Sequence, residues 1–187
     1  MHTTIKLILI SCFLILTSCG NEDVLPKPSA SLALQYPDAT YGTTTTDYCP
    51  FVFELNEYAR VLSKNDCSMK IEYPYMDATV YLTYNKVDDN LTQLLIDGQK
   101  LSYKHNIKAD VIKDYPFMNE KSKVYGMMYE VEGNAASNAQ FYVTDSTNHF
   151  LTASLYFDTR PNYDSILPAV DYVKKDMINL LETLQWK

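Results

Sequence analysis

The sequence predicts an α+β domain in which a mainly antiparallel sheet is packed by two helices, at about residues 90–105 and 165–185. Three observations predict this class. Segments rich in β-branched and aromatic residues recur from residue 51 onward, short polar connections separate the later ones, and two stretches carry apolar residues at helical spacing. Strands followed by helices that pack on them give a layered α+β arrangement.

The predicted strands are short and are bounded by turn-forming residues. A brief apolar run covers residues 51–55, and residues 78–84 alternate over a length that suits one strand. Three further β-rich segments, 124–131, 140–144 and 149–157, are joined by residues 133–138 and 145–148, which are rich in Gly, Asn, Ser, Asp and Thr. Connections this short favour antiparallel pairing, so these three segments are predicted to form a meander.

Two segments have the periodicity of amphipathic helices. The predicted N-caps are Asp88 or Asp89 in the first segment and Asp164 or Ser165 in the second, where Pro168 is tolerated in the first turn. The apolar stripes consist of Leu91, Leu94, Leu95, Gly98 and Leu101 in the first helix and of Ile166, Val170, Val173, Met177, Leu181 and Leu184 in the second. The first helix runs towards Lys104 and His105, whose positive charges suit its C-terminal end.

The first nineteen residues have the features of a lipoprotein signal peptide. Lys6 precedes the mostly apolar run 7–16, which matches a secretory h-region and is too short to span a bilayer. The run ends in Leu16, Thr17, Ser18 and Cys19, a lipobox in which cleavage precedes the cysteine and its thiol receives the lipid. The alternative is an ordinary signal peptide that contains a cysteine.

The predicted organisation is a signal peptide at 1–18, a lipidated cysteine and tether at 19–30, and a single globular domain at 31–187. The tether is polar and proline-interrupted, and ten extended residues reach at most about 30 Å. The chain has 16 basic and 23 acidic residues, a net charge of −7 that becomes −8 when Lys6 is removed with the signal peptide. This acidic balance argues against nucleic acid or anionic headgroups as the main partner.

Cys49 and Cys67 remain once the lipid has taken Cys19 and the signal peptide has been removed. In an oxidising compartment two such cysteines most often pair, and a bridge across these 18 positions would stabilise the fold by about 3 kcal/mol. The alternative is two buried free thiols. No metal site is predicted, because neither a CxxC motif nor clustered histidines accompany them.

No motif of catalysis stands out in the chain. A phosphate loop, a dinucleotide fingerprint and a Gly-x-Ser-x-Gly elbow are absent from the sequence. The best catalytic candidates are His105, His149 and the stretch Asp145, Ser146, Thr147, yet residues 145–148 also have the composition of a tight turn, which is the favoured interpretation. The pairs Asp88/Asp89 and Glu22/Asp23 are interpreted as a helix start and a solvated tether. No catalytic, cofactor-binding or metal-binding residue is therefore predicted.

Several stretches resemble the gliding motility lipoproteins of the GldD type, and they cover nearly the whole predicted domain. They are residues 36–37, 48–51, 53–54, 71–74, 78–84, 100–110, 133–137, 140–151, 155–164 and 182–187. One departure follows Cys67, where Ser68 and Met69 replace a tryptophan-bearing segment of the family.

The resemblance implies a lipoprotein of Bacteroidetes that is required for gliding motility and for the linked type IX secretion system. It implies no enzymatic activity and no cofactor, and its partners would be envelope proteins of that machinery. Gly20, after the lipidated cysteine, does not match the aspartate that retains enteric lipoproteins in the inner membrane. We therefore expect an outer-membrane lipoprotein, palmitate-modified at Cys19, that faces the periplasm.

Two other functions are weighed beside this one. An envelope lipid or glycan could bind in an apolar pocket lined by tyrosines such as Tyr73, Tyr75 and Tyr81. A hydrolase could use His149 with Ser146 as base and nucleophile. The first alternative depends on those tyrosines lying together, and the second depends on contact between the serine and the histidine.

Overall fold

The computed structural model describes residues 35–44, 48–63, 66–103, 109–159 and 162–187. The chain divides into two units, residues 1–30 and 31–187. The predicted signal peptide, Cys19 and the tether all lie outside the described residues, and so does His105. Within the described ranges, no helix is both long enough and apolar enough to cross a membrane.

The described part of the chain contains eleven short strands, two α-helices and a 3-10 turn at Pro74–Met76. The strands are β1 (Tyr41–Thr43), β2 (Phe51–Val52), β3 (Glu54–Asn56), β4 (Arg60–Ser63), β5 (Met69–Tyr73), β6 (Ala78–Lys86), β7 (Val111–Asn119), β8 (Val124–Glu132), β9 (Ser137–Thr144), β10 (His149–Phe157) and β11 (Gln185–Trp186). The helices are α1 (Leu91–Tyr103) and α2 (Tyr163–Thr183). The predicted α+β class is confirmed.

Seven of the strands form one antiparallel sheet in the order β4-β5-β6-β10-β9-β8-β7. The predicted meander forms its second half, with β10 inserted between β9 and β6. Residue Ala153 of β10 accordingly lies opposite Phe141 on one side and Leu82 on the other. Two separate two-stranded sheets are formed by β1 with β3 and by β2 with β11. Strands β4, β5 and β7 were not predicted.

Helix α2 packs on one face of the sheet and forms the main core with it. The buried residues of this cluster alternate along the strands, as expected for a sheet with one face against a helix. They include Met69 and Ile71 in β5, Val80 and Leu82 in β6, Phe141 and Val143 in β9, Leu151 and Leu155 in β10, and Val173, Met177, Leu180 and Leu181 in α2. Each such side chain contributes about 2 kcal/mol by leaving water.

Helix α1 lies against the opposite face and covers only part of it. Its Leu91, Leu94 and Leu95 pack on a second cluster of buried aromatic residues, Tyr129, Tyr142 and Phe150. Gly98 makes this contact close, because a Cβ there would lie 3.3 Å from both Phe150 and Tyr142. The predicted apolar stripe of α1 is thus confirmed for these residues, and its glycine has a packing reason.

The predicted N-cap of α2 is wrong by two or three positions. The cap is Asn162, and its carbonyl accepts the N–H groups of Ser165 and Ile166 at 3.1 and 3.2 Å. Ser165 lies inside the first turn, where its hydroxyl donates to the same carbonyl at 2.9 Å. Asp164 also lies in that turn, where its charge suits the positive end of the helix dipole.

Asp176 is a buried carboxylate of α2 that connects the helix to three strands. It accepts hydrogen bonds from the Tyr41 hydroxyl at 2.7 Å and the Asn56 amide at 2.8 Å, and a third from the Tyr73 hydroxyl. Burial raises the pKa of Asp176 even though these three donors oppose the shift. A buried carboxylate without hydrogen-bond partners is unfavourable, so separating these strands from the helix would leave Asp176 without its donors. The hydrogen bonds therefore hold β1 and β3 against α2.

Cys49 and Cys67 form a disulfide, which decides between the two alternatives left open by the sequence. Their Cα atoms are 5.5 Å apart, and both residues belong to the main core. Cys67 adopts a left-handed backbone conformation with φ of 63° just before β5. The bridge therefore fixes the start of β5 to the segment that leads into β2.

Replacing both cysteines by alanine is expected to lower the free energy of unfolding by about 3 kcal/mol, because the unfolded chain regains the freedom of an 18-residue loop. Guanidinium unfolding with and without dithiothreitol measures this change. The reductant should lower the unfolding midpoint of the unaltered protein and leave that of the double variant in place. An unaltered protein that is insensitive to the reductant would contradict the bridge.

Candidate functional site

Of the catalytic candidates of the sequence, His149 and residues 145–147 lie at one end of the large sheet, where β10 begins. His149 is the first residue of β10, and its ring stacks on that of Trp186 in β11, with centroids 5.0 Å apart and planes at 13°. On the neighbouring strand β6, the Tyr84 hydroxyl is 2.9 Å from His149 Nδ1. The pairing of β11 with β2 brings the C-terminal end of the chain to this place.

Further contacts fix the two aromatic residues next to His149, Trp186 and Tyr84. Trp186 Nε1 donates to the carbonyl of Lys123 at 3.0 Å, and the indole meets the buried Phe51 ring edge-on at 6.4 Å. Burial raises the pKa of the Tyr84 hydroxyl, and the charge of Asp145 raises it further, so Tyr84 stays protonated as a hydrogen-bond partner. The imidazole is consequently fixed by one stacked ring and one hydroxyl.

Residues 145–148 form a tight turn between β9 and β10, as predicted. The Asp145 carboxylate accepts the N–H groups of Thr147, Asn148 and His149 at 2.8–3.0 Å, and the Thr147 hydroxyl at 2.9 Å. Burial alone would raise the pKa of Asp145, but these four donors outweigh it and hold the pKa at about 2. The carboxylate is therefore engaged in maintaining the turn.

The structure does not pair Ser146 with His149. Ser146 is exposed in a left-handed conformation with φ of 69°, and its N–H donates to the Thr144 hydroxyl at 3.0 Å. Within the described ranges, the hydrogen bond of the His149 ring runs to Tyr84 instead. A nucleophile and its base need direct hydrogen-bond contact, so this arrangement gives no support to the hydrolase hypothesis.

A polar cleft of 780 Å³ opens beside the stacked rings, and charges of both signs line it. Lys121, Lys123 and Lys187 contribute three cations, while Asp145 and Glu182 contribute two carboxylates. The described ion pairs of the chain use Lys100, Lys113 and Lys174, and none of them uses the two lysines of the β7–β8 turn. Nor do the described residues contain a group of three or more potential metal ligands.

A second concave surface, which we call the apolar groove, lies between the edge strand β7 and helix α2. It encloses 280 Å³ and is lined mainly by the apolar side chains Tyr115, Pro116, Phe117, Met128, Ile178 and Leu181. Tyr115 and Ile178 are 47% and 38% exposed, and the nearby β7 residues Val111 and Met118 are 43% and 70% exposed. Among the described residues, β7 and the facing part of α2 thus carry four exposed large apolar side chains.

A half-buried ion pair lies on one side of the apolar groove. The Nζ atom of Lys174 is 2.6 Å from Glu130 and 3.1 Å from Asp171. Burial would lower the pKa of Lys174, but the hydrogen bonds to these two carboxylates raise it. Lys174 is consequently charged and held in place, so the groove has a fixed polar margin.

The three tyrosines proposed to line one ligand pocket do not all lie together, which corrects that expectation: Tyr73 and Tyr75 border one small cavity of 20 Å³, whereas Tyr81 lies elsewhere. Tyr73 is 4% exposed and donates into the Asp176 cluster, whereas Tyr75 is 85% exposed. Tyr81 stands on the opposite face of the sheet from α2. Side chains alternate between the two faces of a strand, and this explains why Tyr73 and Tyr81 lie apart. Tyr73 is on the core face of β5, and Tyr81 is on the outer face of β6.

The family assignment follows from a comparison with protein-family models. The model described as gliding motility lipoprotein GldD matches residues 21–186. The chain belongs to the GldD family. The resemblance drawn from the sequence is thereby confirmed, and membership indicates a membrane-anchored lipoprotein of the cell envelope that is connected with gliding motility. No curated protein matches this GldD-family chain.

Among solved structures, the GldD-family chain is similar to the solution structure of cyanobacterial PsbP (CyanoP) from Synechocystis sp. PCC 6803. The TM-score is 0.51 at 12% identity, and the match covers 86% of this chain and 100% of that one. At this identity the likeness concerns the fold alone.

Sequence reasoning missed the apolar groove because it missed strand β7. Residues 111–119 read VIKDYPFMN, in which adjacent charges and a proline interrupt the alternation that marks a strand. Pro116 is tolerated because β7 pairs only with β8 and so lies at the sheet edge. The sequence feature that could still have indicated a strand here was the aromatic Phe117, whose side chain packs against the main core.

Asp145→Asn is expected to lower the free energy of unfolding by about 1 kcal/mol at pH 7, because an amide oxygen accepts hydrogen bonds less strongly than a carboxylate. The folded-state pKa lies below the ordinary 3.8, so the stabilisation is present above that value. It is lost as the pH falls from 3.8 towards 2, and the difference between the two proteins should narrow.

Urea unfolding at several pH values measures that difference. Asp114→Asn, at an exposed position of β7, removes the same charge without removing a turn and serves as the matched control. This account of the turn would be contradicted if the difference in unfolding free energy between the unaltered protein and Asp145→Asn stayed constant down to pH 2.

Proposed function

We propose that this GldD-family lipoprotein acts as a non-catalytic component, or an assembly and stability factor, of the gliding motility and type IX secretion machinery. Lipid on Cys19 anchors it to the outer membrane, with the domain in the periplasm. The domain then docks through its apolar groove to a protein component of that machinery. Family membership supports the motility connection, and the groove is the observation that carries the docking.

The apolar groove has the composition of a protein contact site. Its lining combines the aromatic side chains Tyr115 and Phe117 with the flexible Met128, residue types that are enriched in the cores of protein interfaces. Val111, which is 43% exposed, lies on the same face of β7 as Tyr115 and adds apolar surface to that face. Contiguous exposed apolar surface is costly for a soluble face, and it commonly marks a binding site.

The groove also offers fixed polar contacts at its margin. Lys174, Glu130 and Asp171 are held by one another, so a partner meets an ordered set of donors and acceptors. Such groups restrict the register in which an apolar partner segment binds, while the burial of apolar area supplies most of the affinity.

A non-catalytic role fits the arrangement around His149. The His149 ring is stacked on Trp186 and hydrogen-bonded to Tyr84, while the Asp145 carboxylate accepts hydrogen bonds from the residues of its own turn. These groups stabilise the junction of β9, β10 and β11, which is a structural task. The polar cleft beside them remains available for a secondary contact.

The anchor is tested by Cys19→Ser. We expect the unaltered lipoprotein to incorporate radiolabelled palmitate and to fractionate with the outer membrane, because the thiol is the acceptor of the lipid. The variant should incorporate no label and should leave the membrane fraction. An anchor at this residue would be contradicted if the variant stayed in the membrane fraction, or if it still incorporated labelled palmitate.

The docking surface is tested by Ile178→Glu in a strain that lacks the chromosomal gene. A glutamate at this 38% exposed position places a charge in the apolar groove, so we expect type IX cargo secretion and surface spreading to fall at least tenfold. Secreted cargo in culture supernatant and colony spreading are the measurements, and an equal amount of lipoprotein in the membrane shows that the variant folds.

Ile96→Glu is the matched control, because Ile96 is 41% exposed on the other helix, α1. It should restore secretion and spreading as fully as the unaltered gene does. If both variants behave like the unaltered protein, the apolar groove is not the docking surface. If the complete gene deletion itself leaves secretion and spreading intact, the proposed function fails as a whole.

A further inference from the structure

The outer face of the large sheet carries a second type of surface, away from helix α2. Five hydroxyl-bearing side chains of β6 and β10 line a hollow of 500 Å³, which we call the hydroxyl hollow: Tyr81, Thr83, Thr152, Ser154 and Tyr156. This volume lies within the range of about 300–1,000 Å³ that small-ligand sites occupy. The hollow and the apolar groove lie on different surfaces of the fold, so each can be altered separately.

Strand register builds the hydroxyl hollow from the two neighbouring strands. Thr83 lies directly opposite Thr152, and Tyr81 lies directly opposite Ser154. In β10 the intervening residues Leu151, Ala153 and Leu155 all point into the main core, so the three polar residues of this strand share the outer face. The sheet therefore holds the hydroxyl groups at fixed spacings on a rigid support.

The hydroxyl groups of the hollow are not used within the described parts of the protein. No hydrogen bond joins the hydroxyl of Tyr81, Thr83, Thr152, Ser154 or Tyr156 to another described residue, although Ser154 is only 5% exposed. The contacts they do make are through rings, since Tyr81 meets Tyr156 edge-on at 5.6 Å. Five side chains with donor and acceptor groups thus line one space, and no other described residue engages their hydroxyl groups.

The lining also restricts the charge of that ligand. None of the five side chains is charged at neutral pH, and the neighbouring Lys70 of β5 has its Nζ atom over the Tyr81 ring, 5.3 Å from the ring centroid. An anionic ligand would find no opposing charge among the lining residues. An acyl chain would cover the hydroxyl groups without replacing their hydrogen bonds to water, which costs about 1–3 kcal/mol for each buried group.

We propose that the hydroxyl hollow binds a neutral saccharide. A sugar offers hydroxyl groups as both donors and acceptors, which match the five hydroxyls of the lining, and its apolar C–H faces can pack on the rings of Tyr81 and Tyr156. The lipoprotein would thereby contact an envelope glycan on one face of the sheet. This activity does not depend on the docking function of the apolar groove.

Saturation-transfer NMR and calorimetry on the full-length lipoprotein test this proposal. The protein is kept in nanodiscs, since glycoside detergents would compete, and the probes are the neutral trisaccharides of glucose, mannose and N-acetylglucosamine. We expect at least one probe to bind. Thr83→Val with Thr152→Val, and separately Tyr81→Phe with Tyr156→Phe, remove hydroxyl groups at nearly constant shape and should weaken that binding about tenfold.

Tyr58→Phe with Tyr75→Phe removes two exposed hydroxyls outside both the hollow and the apolar groove and is the matched control for the tyrosine pair. This control should bind like the unaltered protein, and equal thermal unfolding temperatures show that the compared proteins are folded. The proposal is overturned if none of the neutral probes binds. It is equally overturned if the bound probe is held with unchanged affinity by both hollow variants.

Discussion

The packing of helix α2 on one face of the sheet is the constraint on which the other features of this molecule depend. Its apolar stripe, from Val173 to Leu181, forms the core with the alternating residues of the central strands. The same helix places Asp176 where three strands can donate to it, and it places Ile178 at the apolar groove. The core, the buried polar cluster and the proposed docking surface therefore all depend on side chains of α2, and a rotation of this helix would disturb all three together.

The sequence predicted the elements whose local chemistry agrees with their final environment. The meander was predictable because its segments are rich in β-branched and aromatic residues and because residues 145–148 carry their own turn-forming groups, with Asp145 bonding three N–H groups nearby. The two helices were predictable from their 3.6-residue periodicity. Strand β7 was not, because Lys113, Asp114 and Pro116 suit an exposed edge strand and hide the alternation of a buried one.

The candidate surfaces were harder to predict, because each is assembled from distant parts of the chain. His149 and Trp186 are stacked only because β11 pairs with β2, and nothing local to either residue specifies that pairing. The hydroxyl hollow likewise depends on β10 lying next to β6, with 62 residues between the end of one strand and the start of the other. Tyr81 was singled out from the sequence, but its neighbours Ser154 and Tyr156 follow only from the strand register.

The disulfide has a mechanical consequence for the proposed anchoring of the chain at its N-terminal side. A pull on residue 35 would load the short β1–β3 pair and the Tyr41–Asp176 bond before it reached the large sheet. Tension that arrived at Cys49 would then cross directly to Cys67 through the sulfur atoms. The 17 residues between them, including β2, β3 and β4, would be bypassed, so the anchored side could extend only a short distance before the load reached β5.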